Sequence, residues 1–174
     1  MPNLFEEVIG RLTEAQVEFV IVGGVSAVLQ GAPIITQDLD LCYRRQPENL
    51  SRLAKALAPL TPRLRGIPDD LPAVFDERTL QFGTNFTLRI GSEDLDLLAE
   101  MSGIGGYEQI VDQADEMLVA GFRVRVLSLE QLIATKEAAN RPKDHLTLPL
   151  LKEVLRLQRQ RDSGEPGRGG ATDA

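Results

Sequence analysis

Phe19-Val20-Ile21-Val22 is a continuous apolar run, mostly β-branched, that stops on Gly23-Gly24. Such a run fits a buried strand, and a glycine pair directly after it fits a tight turn. Residues 25–30 then have helical character and end at Gly31. After the Ala32-Pro33 break, residues 34–43 read as a second strand, with Leu39 and Leu41 on one face and Asp38 and Asp40 on the other. Apolar strand, Gly-Gly, short helix and Asp-x-Asp strand follow one another between residues 18 and 42.

The flanking segments supply helices and further strands. Asn3 and Glu6 have capping-box spacing, and Leu4, Val8, Ile9 and Leu12 recur at helical period. Pro47 suits a first helical turn, with Leu50, Leu53, Ala54 and Leu57 on one face. The Pro-rich interval 59–72 reads as a loop, and residues 86–90 and 95–98 as a hairpin whose second strand sets Asp96 among leucines. Gly103 to Gly106 mark a turn before a short helix, and residues 122–126 alternate as a strand. Ser128 with Gln131 resembles a second capping box, opening a helix through Ala139, and a last helix covers 142–160. The Gly-rich stretch 161–174 lacks the large apolar residues needed to offset ordering and is expected to be disordered, leaving one domain over 1–160.

Composition narrows the chemistry. With 174 residues, 43% of them hydrophobic, the chain can bury one core. A net charge of −7 excludes a global basic field that would draw it to nucleic acid; any such contact must be local, with Arg123, Arg125, Arg141 and Lys143 as candidates. Cys42 is the single cysteine and cannot form an internal disulfide, and no signal-peptide pattern opens the chain, so a reducing cytoplasmic location is expected. No run approaches the roughly 18 apolar residues of a membrane span, so no membrane partner is expected. One histidine and one cysteine cannot build a structural zinc site, whereas 26 acidic residues offer hard oxygen ligands for Mg2+ or Mn2+.

Carboxylates at i and i+2 on a strand stand on one side with Cα atoms about 6.5–7 Å apart, close enough to share a divalent ion. Asp38 and Asp40 have this spacing, and it also suits a solvated strand face. Asp96 sits in Leu95-Asp96-Leu97-Leu98, where a polar group must face water, a cation or an unusual partner. Gly23-Gly24 at a strand-to-helix turn aims backbone N–H groups outward and, with the helix dipole, can cradle phosphate. Leu129, Leu132, Ile133 and Lys136 follow i, i+3, i+4, i+7, which sets a lysine in an inward stripe; it either snorkels to the surface or reaches the carboxylates. Asp144 adjoins an apolar stripe but is also favoured by the dipole at a helix start. His145 has no nearby serine, cysteine or second histidine and reads as exposed or capping.

The segments VGGVSAVLQGAPIITQDLDL, LDLL and SLEQLIATKEAANRPKD resemble the nucleotidyltransferase superfamily, and within it the AbiEii and MenT-like group of bacterial toxin–antitoxin systems. The resemblance implies an α/β (α+β) fold, a mixed sheet flanked by helices with further helices at the C-terminus. It implies that Asp38 and Asp40 bind magnesium, that Asp96 completes the metal site and acts as base, and that Gly23, Gly24 and Ser26 embrace an NTP triphosphate near Thr36. Lys136, Lys143 and Asp144 match the group's downstream lysine and R-x-K-D block. The implied reaction moves a nucleoside monophosphate from an NTP such as ATP to a hydroxyl on tRNA, protein or a small molecule, with an antitoxin as a further partner. The group commonly has an arginine where this chain has Ile34, which favours a rival reading: a catalytically silent nucleotide-binding or partner-binding module. A glycosyltransferase also uses Asp-x-Asp but needs a larger domain.

Overall fold

In the computed structural model, which describes residues 3–68, 70–71 and 74–163, α1 (Leu4–Glu14) is fixed at its start by a reciprocal cap. The Asn3 side chain accepts from the Glu6 amide at 2.8 Å, and the Glu6 carboxylate accepts from the Asn3 amide at 3.3 Å. β1 (Phe19–Val22) follows, buried throughout, and runs directly into α2 (Gly23–Leu29). This helix starts two residues before the expected position because Gly23 takes up φ +63°, a left-handed turn that other residues adopt only under strain.

Next come β2 (Leu39–Tyr43), α3 (Pro47–Leu57), the two-residue strand β3 (Arg63–Leu64), α4 (Glu77–Phe82) and the hairpin β4 (Asn85–Ile90) and β5 (Glu93–Leu98). A small separate pair, β6 (Glu100–Met101) and β7 (Gly105–Gly106), leads to α5 (Tyr107–Ile110). The chain closes with β8 (Asp115–Val119), β9 (Phe122–Val126), α6 (Leu129–Ala139) and α7 (Pro142–Asp162). Seven strands form one mixed sheet in the order β3-β4-β5-β2-β1-β9-β8. The β2–β5 and β1–β9 pairs are parallel and the other four antiparallel.

Each face of the sheet has its own core. Phe19 and Ile21 join Leu41, Leu97 and the inward residues of α1 and α3. Val20 and Val22 join Cys42 with Leu132 and Ile133 of α6 and Leu151 of α7. That is why the 19–22 run does not alternate in polarity: both of its faces are covered.

The strand expected over 34–43 begins only at Leu39. Its neighbour β1 ends at Val22, opposite Asp40, and turns away into α2, so the residues before Leu39 have no β1 backbone to pair with. Asp38 therefore lies on the approach to β2, and Ile34 packs against the second core. The interval 59–72 is not all loop, since it contributes β3 at the sheet edge; α4 and β8 are further elements that the sequence pattern does not announce. Ser128 caps α6 by accepting from the Gln131 amide at 3.4 Å, but the Gln131 side chain donates to Gln113 instead of closing the box. α7 runs on to Asp162, just past the expected start of the tail; residues 164–174 lie outside the described residues.

Candidate active site

The two glycines are required by what approaches them. A methyl group on Gly23 would overlap the Asp40 carboxylate, and one on Gly24 would stand 2.5 Å from Thr36 Oγ1. The tight turn thus seats Asp40 against the start of α2, where the Gly24 N–H donates to its carboxylate. Asp40 and Asp96 are register partners on β2 and β5, so their backbones are separated by the strand spacing of about 4.8 Å and their side chains leave the same face. Asp38, Asp40 and Asp96 line one cleft of about 330 Å³, bordered by Gly23 and Gly24 and, from the α6–α7 side, by Lys136, Arg141 and Lys143.

Crowding of like charge shows in the proton affinities. Burial, then the charges of Asp96 and Asp38, push the Asp40 carboxyl from 3.8 up to about 6, with the Gly24 hydrogen bond and Lys143 pulling weakly the other way. Burial also raises Asp96, against the pull of Arg65. Arg65, in the turn after β3, donates to Asp96 at 2.5 Å and to Asp94 at 2.7 Å. Sequence reasoning missed this arginine, because nothing in a Pro-rich interval signals that its chain returns to the sheet. The signal that does exist is indirect: three clustered acids ask for a cation.

The lysines divide. Lys136 donates to Asp144 at 2.9 Å, and Arg141 donates to the other oxygen of that carboxylate at 2.8 Å. Asp144 is fully buried; burial alone would raise it, but these hydrogen bonds and the charges behind them hold it at about 2. Lys143 forms no hydrogen bond or ion pair among the described residues and acts on Asp40 only through its charge. The inward lysine of the sequence pattern is therefore neutralised, and Lys143, in the first turn of α7, borders the cleft uncommitted.

Three sequence candidates lie outside this lining: Asp144, buried beneath Lys136 and Arg141, and also Ser26 and Thr36. Ser26 is buried and spends its hydroxyl on the Gly23 carbonyl at 2.8 Å, holding the turn. Thr36 packs under Gly24 and borders a neighbouring cleft. Of the basic rim, Arg141 and Lys143 reach the cleft, while Arg123 pairs with Glu116 and Arg125 donates to the Ala114 carbonyl. His145 hydrogen-bonds Asn140 at an exposed position.

The donor set suits a hard divalent cation: three carboxylates on one cleft, one of them with its proton affinity raised by burial and then by the charges of the other two. Asp96 is turned onto Arg65, and among the described residues no three ligating groups yet surround one point. Arg65 engages one oxygen of Asp96, and the other is the one left for a cation.

No family model matches the chain, and no curated protein sequence does. Solved structures match over nearly its whole length. ANT(2″)-Ia in complex with adenylyl-2″-tobramycin superposes with a TM-score of 0.57 at 19% identity, covering 94% of this chain and 97% of that one. The lincomycin-bound lincosamide antibiotic adenylyltransferase LnuA gives 0.58 at 10% identity, covering 87% and 98%. A Thermotoga maritima protein described as a nucleotidyltransferase gives 0.51 at 16%, covering 92% and 91%. At these identities the likeness is one of architecture, and it establishes that the chain has the nucleotidyltransferase fold.

Proposed function

We propose that the protein transfers a nucleoside monophosphate from an NTP to a hydroxyl acceptor, using Mg2+ or Mn2+. The observation that carries this reading is the convergence of Asp38, Asp40 and Asp96 on one cleft beside the Gly23-Gly24 turn, with Lys143 uncommitted across it. The solved structures with this fold include one with an adenylylated antibiotic and one with a bound antibiotic, which supports small-molecule acceptors over tRNA or protein.

Asp38, Asp40 and Asp96 would hold the divalent cation, which supplies charge neutralisation at the phosphates and lowers the pKa of an acceptor hydroxyl. The chain's own groups do the rest. The start of α2, where the Gly24 N–H already serves Asp40, would meet the phosphates through its remaining backbone N–H groups. Lys143 meets the negative charge that develops on the phosphate oxygens. Asp96 accepts the hydroxyl proton as the hydroxyl oxygen attacks the α-phosphorus and pyrophosphate leaves. The buried Asp144, gripping Lys136 and Arg141, keeps the α6–α7 wall in place.

The test is pyrophosphate release from ATP, CTP, GTP or UTP with Mg2+ and a panel of hydroxyl acceptors. Asp38→Ala and Asp96→Ala should abolish it while leaving the circular dichroism spectrum unchanged; wild-type protein inert with every NTP sinks the reading. The silent-module alternative draws on Ile34 filling core space and on Asp96 and Lys136 both being occupied by internal partners. NTP binding by calorimetry without pyrophosphate release is its signature. The toxin role, with an antitoxin partner, rests on the likeness of the sequence segments to the AbiEii and MenT-like group; growth arrest on expression, relieved by Asp96→Ala, is the outcome it demands.

A further inference from the structure

A second and larger cleft, about 660 Å³, lies against the first. Its apolar walls come from Phe5 and Val8 of α1, Val25 and Val28 of α2, and Leu39 and Leu95 at the starts of β2 and β5. Asp38 lines both clefts, so a molecule seated on the apolar walls ends at the carboxylate cluster. The volume is in the range of small-molecule sites, roughly 300–1,000 Å³.

The rim is acidic. Glu93 and Asp94 border it beside Asp38, and no lysine or arginine belongs to the lining. Asp94 is already bound to Arg65 and Arg89, whereas the Glu93 side chain is exposed and forms no hydrogen bond or ion pair among the described residues. A polynucleotide needs its phosphates neutralised, and this rim has the wrong sign for it. An amine beside an apolar body meets both features.

We propose that this cleft is the acceptor subsite and that its ligand is a small cationic amphiphile, with its apolar body between α1 and α2, its amine toward Glu93 and a hydroxyl presented past Asp38. The inference rests on the transferase reading for what happens to that hydroxyl. Its oxygen forms the new bond to the α-phosphorus of the NTP, and the bond from that phosphorus to the oxygen bridging the β-phosphate breaks with its electron pair leaving on pyrophosphate. The hydroxyl proton passes to Asp96.

Three probes with one ring system separate the contributions: 2-(1-naphthyl)ethylamine, 2-(1-naphthyl)ethanol and 1-naphthylacetate, titrated by naphthyl fluorescence without NTP or metal. The amine should bind tightest and the carboxylate weakest. Val28→Trp changes a side chain that is 42% exposed, so it fills the cleft from its edge and should weaken the amine by about tenfold or more while leaving MgATP affinity unchanged. Glu93→Lys, at the surface, should weaken the amine by about threefold and leave the alcohol alone. The proposal is overturned if the carboxylate binds as well as the amine, if Val28→Trp folds and leaves the amine affinity intact, or if hexauridylate displaces the amine. Pyrophosphate release is read separately. Amine binding lost in Val28→Trp, in a protein that never releases pyrophosphate, sinks the transferase reading and keeps the cleft; release with a hydroxylated amine that Val28→Trp does not impair sinks the cleft alone.

Discussion

Replacing Asp40 by asparagine should make the metal-free protein more stable at neutral pH. In the folded chain the Asp40 carboxyl keeps its proton up to about pH 6, against 3.8 ordinarily. Between those values the native state binds a proton that the unfolded chain has released, so stability falls as pH rises through the window and the loss is complete above the folded pKa. At about 1.36 kcal/mol per pH unit the gap is worth roughly 3 kcal/mol. Asparagine keeps the acceptor oxygen for the Gly24 N–H and removes the charge that Asp96 and Asp38 oppose, so Asp40→Asn should gain about 2–3 kcal/mol at pH 8 in EDTA and little at pH 4. Urea unfolding followed by far-UV circular dichroism suits a chain with no tryptophan. Excess Mg2+ should reverse the order, since an ion bound only by the native state stabilises wild type by mass action and the variant much less. An Asp40→Asn protein no more stable than wild type at pH 8 in EDTA would refute the argument that burial and like charge strain this carboxylate.

The two lysines should separate cleanly. Lys143→Ala should weaken NTP binding by calorimetry with no change in unfolding midpoint, because Lys143 holds no partner; Lys136→Ala should destabilise by about 3 kcal/mol or more, leaving the buried Asp144 short of a cation. Gly23→Ala, forced into φ +63° with its methyl against Asp40, should cost more than about 1 kcal/mol in thermal unfolding, metal or no metal. Cys42 is fully buried, and burial followed by the nearby Glu108 charge pushes its thiol up to about 12, so a colorimetric disulfide reagent at pH 8 should leave it unmodified until urea unfolds the chain.

The legible parts of the molecule were those governed by local period and by caps. Asn3, Pro47 and Ser128 each mark a helix start because a side chain or ring at that spot serves the first turn alone. The pairing of Asp40 with Asp96 is different: the residues are far apart in the chain, and only the parallel docking of β5 on β2 makes them neighbours. Strand period nominates Asp40, opposite Leu39 and Leu41, whereas Asp96 is nominated as a polar residue set among leucines. The same rule overextended β2 back to Ile34, since period 2 says nothing about where the neighbouring strand stops. Arg65 and the partnership of Lys136 with Asp144 were invisible for a further reason. Which carboxylate a cation meets is decided by packing between elements, and the inward stripe of α6 placed Lys136 correctly without saying that α7 would present Asp144 to it.

The order in which the cleft is assembled follows from where its walls lie in the chain. The carboxylate wall is complete once the hairpin ending at Leu98 has docked on β2, but Lys143 and the Lys136–Asp144–Arg141 cluster arrive with the last two helices, and Leu151 of α7 must find its place in the second core. The acidic wall of the cleft is thus balanced from its own side by Arg65, whereas its basic wall depends on α6 and α7. A chain stopped before residue 142 would carry all three aspartates and still lack one wall of the cleft they line.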